Sequence, residues 1–190
     1  DADPHEMAQS AQGQFDESVR SDVQRVGGEY DAVFLKDRYL CDLFSRMIRS
    51  TQFHYLPEAC NPRVHRPMEL SISDLEQFGC DVMLAGTVYY YRQEILRSLG
   101  EFDLKIWGYR PDWLVDRLPG RFMARDVHCD DKVRASLAAR ICLNTLHFAE
   151  VGGLNCRAFE ICGCGGFQLV NEVAAVREHF LPGEEVATFR

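Results

Sequence analysis

No stretch of the sequence approaches the roughly 20 consecutive apolar residues that a membrane-spanning helix needs. The opening Asp1-Ala2-Asp3-Pro4-His5-Glu6 has neither the positive start nor the apolar middle of a secretory signal. A soluble, cytoplasmic protein without a transmembrane segment is therefore expected. Lys and Arg are scattered rather than gathered into a run, and the formal net charge is -8, so nucleic acid is not an expected partner. A small anion held by one or two placed arginines stays open. Also missing are a G-x-S-x-G elbow, a Walker loop and a G-x-G-x-x-G after the first strand, which removes the best evidence for a hydrolase, a P-loop enzyme or a dinucleotide oxidoreductase. Asp81, Asp103, Asp126, Asp130 and Asp131 form no D-x-D pair of the kind that holds a metal in sugar transferases, so metal independence is expected. Cys156, Cys162 and Cys164 invite a metal reading, but their spacing fits no paired C-x-x-C pattern. Cys41, Cys80 and Cys142 lie in or beside apolar segments, where Cys serves as a small hydrophobe. No metal and no disulfide are expected.

What is present is enough for a core: 190 residues, 46% apolar and 11% aromatic, as one domain or one domain with part of another. Neither end reads as a natural terminus, so a fragment is expected. About Glu6 to Val26 reads as a polar surface helix or loop stopped by Gly27-Gly28. Tyr30 to Leu35 reads as a buried strand, about Arg38 to Ser50 as an amphipathic helix, and Gln52 to Pro57 as a short strand. The passage Glu58 to Pro67 is too rich in Pro for either element and marks a boundary. Two regions follow from it, 1–67 and 68–190.

Beyond the boundary, strands and helices alternate. Asp81 to Gly86 and Asp103 to Gly108 read as strands ending in Gly, with a helix to about Leu99 between them. A loop with Pro111 and Pro119 follows, then a short strand near Asp126-Val127-His128 and a helix from about Asp130 to Arg140. Ile141 to Leu146 reads as a strand carrying Asn144 and followed by His147. After a loop and helix come the strand Phe167 to Val170, a helix over Glu172 to Phe180 and a last strand. Such alternation means a parallel sheet covered on both faces, with ligands bound at the carboxyl ends of its strands. Gly86, Gly108, Asn144 and Gly152-Gly153 fall at or just after those ends.

The chain is organised around the stretch Gly152 to Val170, read as loop, helix, tight turn and buried strand. Asn155 would cap the helix, and the Gly152-Gly153 backbone would lie open at its positive end, where an anion can sit. Arg157 adds a fixed charge. Glu160, one turn on, can accept two hydrogen bonds from vicinal hydroxyls. Phosphate donor beside hydroxyl acceptor suggests a nucleotide-sugar; an ordinary exposed Arg157–Glu160 pair around a Gly-rich turn is the alternative. Gly86-Thr87 leaves N–H groups at a strand-to-helix turn with Arg92 close behind, so a diphosphate could lie between this loop and Arg157; otherwise Gly86 only permits the turn and Arg92 is solvated. Asn144 could bond a ligand or cap a loop. His147 could touch a ligand or be structural, and Trp107 and the tyrosines could stack a base or fill the core.

The motifs Leu154-Asn155-Cys156-Arg157-Ala158-Phe159-Glu160 and Cys164-Gly165-Gly166-Phe167, with Ile141-Cys142-Leu143-Asn144 before them and Gly183-Glu184-Glu185-Val186 after, resemble the CgeB-like (spore maturation protein type) glycosyltransferases. Tyr30 to Phe34 with Lys36-Asp37, Tyr55 to Cys60 with Pro62 and His65, and Ile106-Trp107-Gly108 extend the resemblance from about residue 29 to the end. It implies an α/β fold of the GT-B type: two Rossmann-like domains, each a parallel sheet flanked by helices. Residues 1–67 would be the tail of the acceptor-side domain and 68–190 a nearly complete C-terminal donor domain. Glu160 matches the second glutamate of the superfamily's paired motif, which binds the nucleotide ribose; the first would fall at Gly152, a departure that Asn155 and Arg157 would make good.

The resulting expectation is a metal-independent, hexosyltransferase-like enzyme moving a sugar from a nucleotide-diphosphate sugar to an unknown acceptor, with no bound cofactor. Arg157, Glu160 and Arg92 would carry catalysis. Gly86, Thr87, Gly108, Asn144, His147, Gly153 and Asn155 would bind the donor. The alternative is a non-catalytic Rossmann-like module that binds a nucleotide or sugar phosphate, or serves as an interaction domain.

Overall fold

The computed structural model describes residues 21, 29–88, 90–109, 118–123, 125–147, 150 and 152–190. The expected helix or loop over Glu6 to Val26 and the Gly27-Gly28 stop lie outside these residues apart from Ser21, as does most of the Pro111 loop. The chain divides into two compact units. One takes in residues up to Glu58 with Leu146–Asn155 and Val173–Ala175, the other Ala59–Thr145, Cys156–Glu172 and Val176–Arg190.

In the first unit, β1 (Ala32–Leu35), α1 (Arg38–Met47) and β2 (Gln52–Tyr55) form a parallel β-α-β unit, with Ala32 beside Gln52 and Leu35 beside Tyr55. Helix α1 starts where Asp37 accepts the N–H groups of Tyr39 and Leu40 at 2.8 and 3.3 Å, satisfying donors that the first turn leaves open. Its apolar stripe buries Cys41 and Phe44, and the Phe44 ring packs 5.8 Å from that of Phe53 on β2. The strands themselves correct the expectation of burial. β1 and β2 alternate exposed and half-buried residues, and Phe34 is 62% exposed.

The second unit is built on a six-stranded sheet in the order β5-β4-β3-β6-β7-β8, parallel at every pairing. Its strands are β3 (Cys80–Ala85), β4 (Leu104–Trp107), β5 (Arg121–Phe122), β6 (Ala139–Asn144), β7 (Gln168–Asn171) and β8 (Ala187–Phe189). Its helices are α2 (Ile72–Phe78), α3 (Tyr90–Arg97), α4 (Cys129–Ala138) and α5 (Cys156–Cys164), and α6 (Ala174–His179) lies in the crossover from β7 to β8. Alternation along the strands divides the core between two faces, as expected for a doubly covered sheet. Met83 and Ala85 of β3 join Trp107, Cys142 and Ile161 in one cluster, while Val82 and Leu84 join Ile106, Leu143 and Leu96 in the other. Burial pushes the Cys142 thiol up to about 12 and that of Cys80 to about 11, in keeping with cysteines used as apolar filling.

Three local expectations change. Helix α2 replaces a region with no expected element; Ser71 and Asp74 close a capping box at its start, but only Phe78 is buried along it. The short strand is Arg121–Phe122, and 126–128 is loop, whose buried Val127 mimics a strand position. The helix expected to Arg140 stops at Ala138, because Ala139 turns to extended backbone and begins β6.

Candidate active site

Strands β4 and β5 run to one side of β3, and β6, β7 and β8 to the other, so the direction of winding reverses between β3 and β6. In open parallel sheets the crevice at the carboxyl ends of such a strand pair is where ligands bind. Met83 lies beside Cys142, and the register carried on sets Gly86 beside Thr145.

Two glycines and two arginines meet there. Gly86 has φ +132°, and a β-carbon on it would sit 2.5 Å from Nη2 of Arg157 and 3.5 Å from Nη1 of Arg92. Both guanidinium groups therefore approach a strand end that only glycine leaves bare. Gly108, also at φ +132°, ends β4 directly against it: a β-carbon there would meet the Gly86 carbonyl oxygen at 2.6 Å.

Arg92 is 4% exposed. It donates through Nη1 to the Thr87 carbonyl and through Nη2 to the Thr145 carbonyl at 2.7 Å, fastening the loop after β3 to the end of β6. Arg157, in the first turn of α5, donates through Nη1 to Oδ1 of Asn144 at 3.1 Å. The acceptors of these three bonds are neutral oxygens, so the bonds place the two guanidinium groups by geometry. Asn144 is fully buried and donates to Oε1 of Gln168 at 2.9 Å, and Gln168 donates in turn to the Ala158 carbonyl at 3.3 Å. The last bond fixes which way the Gln168 amide faces, and through it which face of Asn144 meets Arg157.

Glu160 has an ammonium and an imidazole beside its two oxygens. Lys132 of α4 pairs with Oε2, and Nε2 of His65 lies 3.4 Å from Oε1. Nδ1 of His65 accepts the Asn61 N–H at 3.3 Å. The loop bearing His65 runs close to α5 because Gly163 has no side chain: a β-carbon there would stand 2.9 Å from Cys60 Sγ and 3.1 Å from the His65 carbonyl.

Gly86, Thr87, Arg92, Gly108, Asn144 and Arg157 thus come together, with Glu160 one turn along α5. His147, Gly153 and Asn155 belong to the other unit. There His147 forms a turn with Glu150, Gly153 packs against the Lys36 carbonyl, and Gly152 donates its N–H to Asp37 Oδ2 at 2.6 Å. The anion facing Gly152 is therefore the chain's own Asp37. Asn155 directly precedes α5. The residues that sequence reading missed are Thr145, Gln168 and Lys132; His65 carried only a resemblance. Thr145 follows Asn144 directly, and its hydroxyl is buried with no hydrogen-bond partner among the described residues. Lys132 lies 28 residues from Glu160, and no local pattern links them.

Comparison with known proteins agrees with the fold. A crystal structure of a UDP-forming α,α-trehalose-phosphate synthase from Burkholderia xenovorans superposes with a TM-score of 0.54 at 12% identity, covering 85% of this chain and 50% of that one. The chain thus spans half the length of that structure, and the α/β, GT-B type fold with its parallel sheet flanked by helices is shared. No curated protein sequence matches. The glycosyl transferase-like family matches residues 92–190, which run from within α3 to β8 and contain Arg92, Asn144, Arg157 and Glu160. The chain belongs to the glycosyl transferase-like family.

Proposed function

We propose that the second compact unit is the donor-binding domain of a metal-independent, CgeB-like, hexosyltransferase-like enzyme of the cytoplasm, which moves a sugar from a nucleotide-diphosphate sugar to an acceptor hydroxyl. The observation that carries the reading is the bare strand end at Gly86, flanked by Arg157 and Arg92 where the sheet changes its winding direction. A diphosphate laid over Gly86 meets a guanidinium that Asn144 already aims. Arg92, buried behind the glycine, supplies charge and holds the two strand-end loops together. Glu160 accepts from the ribose.

During transfer the bond from the anomeric carbon to the β-phosphate oxygen breaks, and its electron pair goes to the diphosphate. The acceptor oxygen bonds to the anomeric carbon and releases its proton. Charge accumulates on the departing diphosphate, and cations fixed in advance stabilise it without reorganising. The enzyme needs no bound cofactor; the nucleotide-sugar is a co-substrate.

Calorimetric titration of the chain with UDP, GDP and dTDP tests this. Saturable binding of one of them, weakened by about 1–3 kcal/mol in both Arg157→Ala and Glu160→Ala, is the expected result. Absence of binding to all three by the folded chain would refute the donor-site reading.

A further inference from the structure

We infer that Asp37 and Lys36, in the first unit, are positioning residues for donor binding: they hold the loop between β6 and α5, and through it the first turn of α5, which carries Arg157. This rests on the donor-site reading above. The chain leaves the second unit after Thr145 and returns to it at Cys156, and the loop between, Leu146–Asn155, belongs to the first. The loop starts directly after Thr145, whose carbonyl Arg92 grips, and opens directly into α5, where Arg157 is the second residue. Whatever fixes this loop therefore fixes where α5 begins.

Two consecutive residues take hold of the loop at Glu150, Gly152 and Gly153. Asp37 is 3% exposed and uses both oxygens: Oδ1 accepts the N–H groups of Tyr39 and Leu40 at the start of α1, and Oδ2 accepts the Gly152 N–H at 2.6 Å. Lys36 donates to Oε1 of Glu150 at 2.7 Å, and the Glu150 N–H closes a turn onto the His147 carbonyl at 2.8 Å. Gly153 passes so close to Lys36 that a β-carbon would stand 2.6 Å from the Lys36 carbonyl oxygen. Bonds to a carboxylate or from an ammonium are the stronger kind. The cap on α1 alone does not call for an acid, since Asn caps a helix as well as Asp. Two acceptor oxygens, one for the helix and one for the loop, do call for it. Helix ends fray, and the 3.1 Å bond from Arg157 to Asn144 needs the first turn of α5 in place. With the loop held, that turn is set before a ligand arrives; with it loose, apparent affinity falls with the fraction of molecules in which the turn is formed.

The test is titration of the full chain with UDP, GDP and dTDP on the wild type, Asp37→Asn, Lys36→Met, Arg157→Ala and the Asp37→Asn/Arg157→Ala double variant, with Phe44→Leu as a control and thermal unfolding recorded for each. Asp37→Asn keeps an oxygen to cap α1 and turns its amide nitrogen to Gly152, so it should melt close to the wild type yet bind the preferred nucleotide about fivefold more weakly. Lys36→Met should weaken binding about threefold. Phe44→Leu loosens the core of the first unit without touching the loop; it should lower the melting temperature and leave affinity within about twofold. In the Arg157→Ala background Asp37→Asn should add less than about twofold. Hydrogen exchange at the Gly152 amide reads the hold on the loop without any ligand, slow in the wild type and fast in Asp37→Asn. Wild-type affinity in folded Asp37→Asn, equal losses in the two backgrounds, or a Phe44→Leu loss as large as that of Asp37→Asn would overturn the inference while leaving the donor site standing. If Asp37→Asn does not fold, Lys36→Met and the wild-type exchange rate at Gly152 decide. Failure of the folded wild type to bind any of the three would remove the donor site, and this inference with it.

Discussion

Three glycines offer a graded test of the close approach at the strand ends. Gly183, Gly86 and Gly108 all have φ between +90° and +132°, so alanine at any of them is strained. They differ in what a β-carbon would meet. At Gly183 nothing lies within 4 Å, so Gly183→Ala should cost only the backbone strain, about 1 kcal/mol. At Gly86 the obstacle is the end of a flexible side chain, Arg157 Nη2 at 2.5 Å; it can move, but only by giving up its 3.1 Å bond to Asn144. Adding one hydrogen bond to the strain gives about 2–3 kcal/mol. At Gly108 the obstacle is backbone, the Gly86 carbonyl oxygen at 2.6 Å and its carbon at 2.8 Å, which cannot withdraw without shifting the end of β3. The cost there should reach about 4 kcal/mol or more. For a chain of this size each kcal/mol lowers the melting temperature by about 2–4 °C, so thermal or urea unfolding resolves the order Gly183 < Gly86 < Gly108. Nucleotide titration adds a second axis: Gly183→Ala should bind UDP or GDP as the wild type does, whereas Gly86→Ala should weaken binding because it displaces Arg157. A Gly108→Ala chain no less stable than Gly183→Ala would refute the stacking of the two strand ends. Undiminished binding by Gly86→Ala would refute the placement of Arg157.

Gln168→Met removes the amide that orients Asn144 and touches no expected ligand atom; it should weaken diphosphate binding several-fold, about 1 kcal/mol, while Arg157→Ala in the same background should add less than it does alone, as a double-mutant titration would read out. Lys36 provides a pH dependence. Burial disfavours its charge, but its bonds to Glu150 at 2.7 Å and Glu58 at 2.9 Å outweigh that and raise its pKa above the ordinary 10.5. Its contribution is therefore fully present below that ordinary value and is lost as pH rises through the raised one. Unfolding followed against pH should show Lys36→Met with a flatter alkaline limb than the wild type, and an identical limb would count against the pairing.

The sheet was legible because its strands are apolar runs punctuated by glycine: Gly86 and Gly108 mark the ends of β3 and β4, and Asn144 is the last residue of β6. Helix α5 was legible from its position between glycine pairs. Helix α2 was not, since its apolar residues Ile72 and Leu75 face solvent, 78% and 50% exposed, and give no period pointing to a core. The two residues of β5 are too few to carry a pattern. At the site, residue types were readable and their partners were not. Arg157 and Glu160 read as neighbours on one helix face, yet Arg157 reaches Asn144 on β6, and Glu160 reaches Lys132 on α4 and His65 in a loop. Such pairings depend on the order of strands in the sheet, which local sequence does not encode.

The hydrogen bonds that begin at Arg157 pass through β6 and β7 and return to α5 at Ala158, the residue next to their origin. The circuit makes helix and arginine one rigid piece, and Glu160 rides on the same piece. The axial spacing between Arg157 and Glu160 is then a helix rise of three residues, about 4.5 Å. α5 acts as a gauge of fixed length: substitutions can remove either side chain, but a change in the axial distance between the two positions requires a different helix.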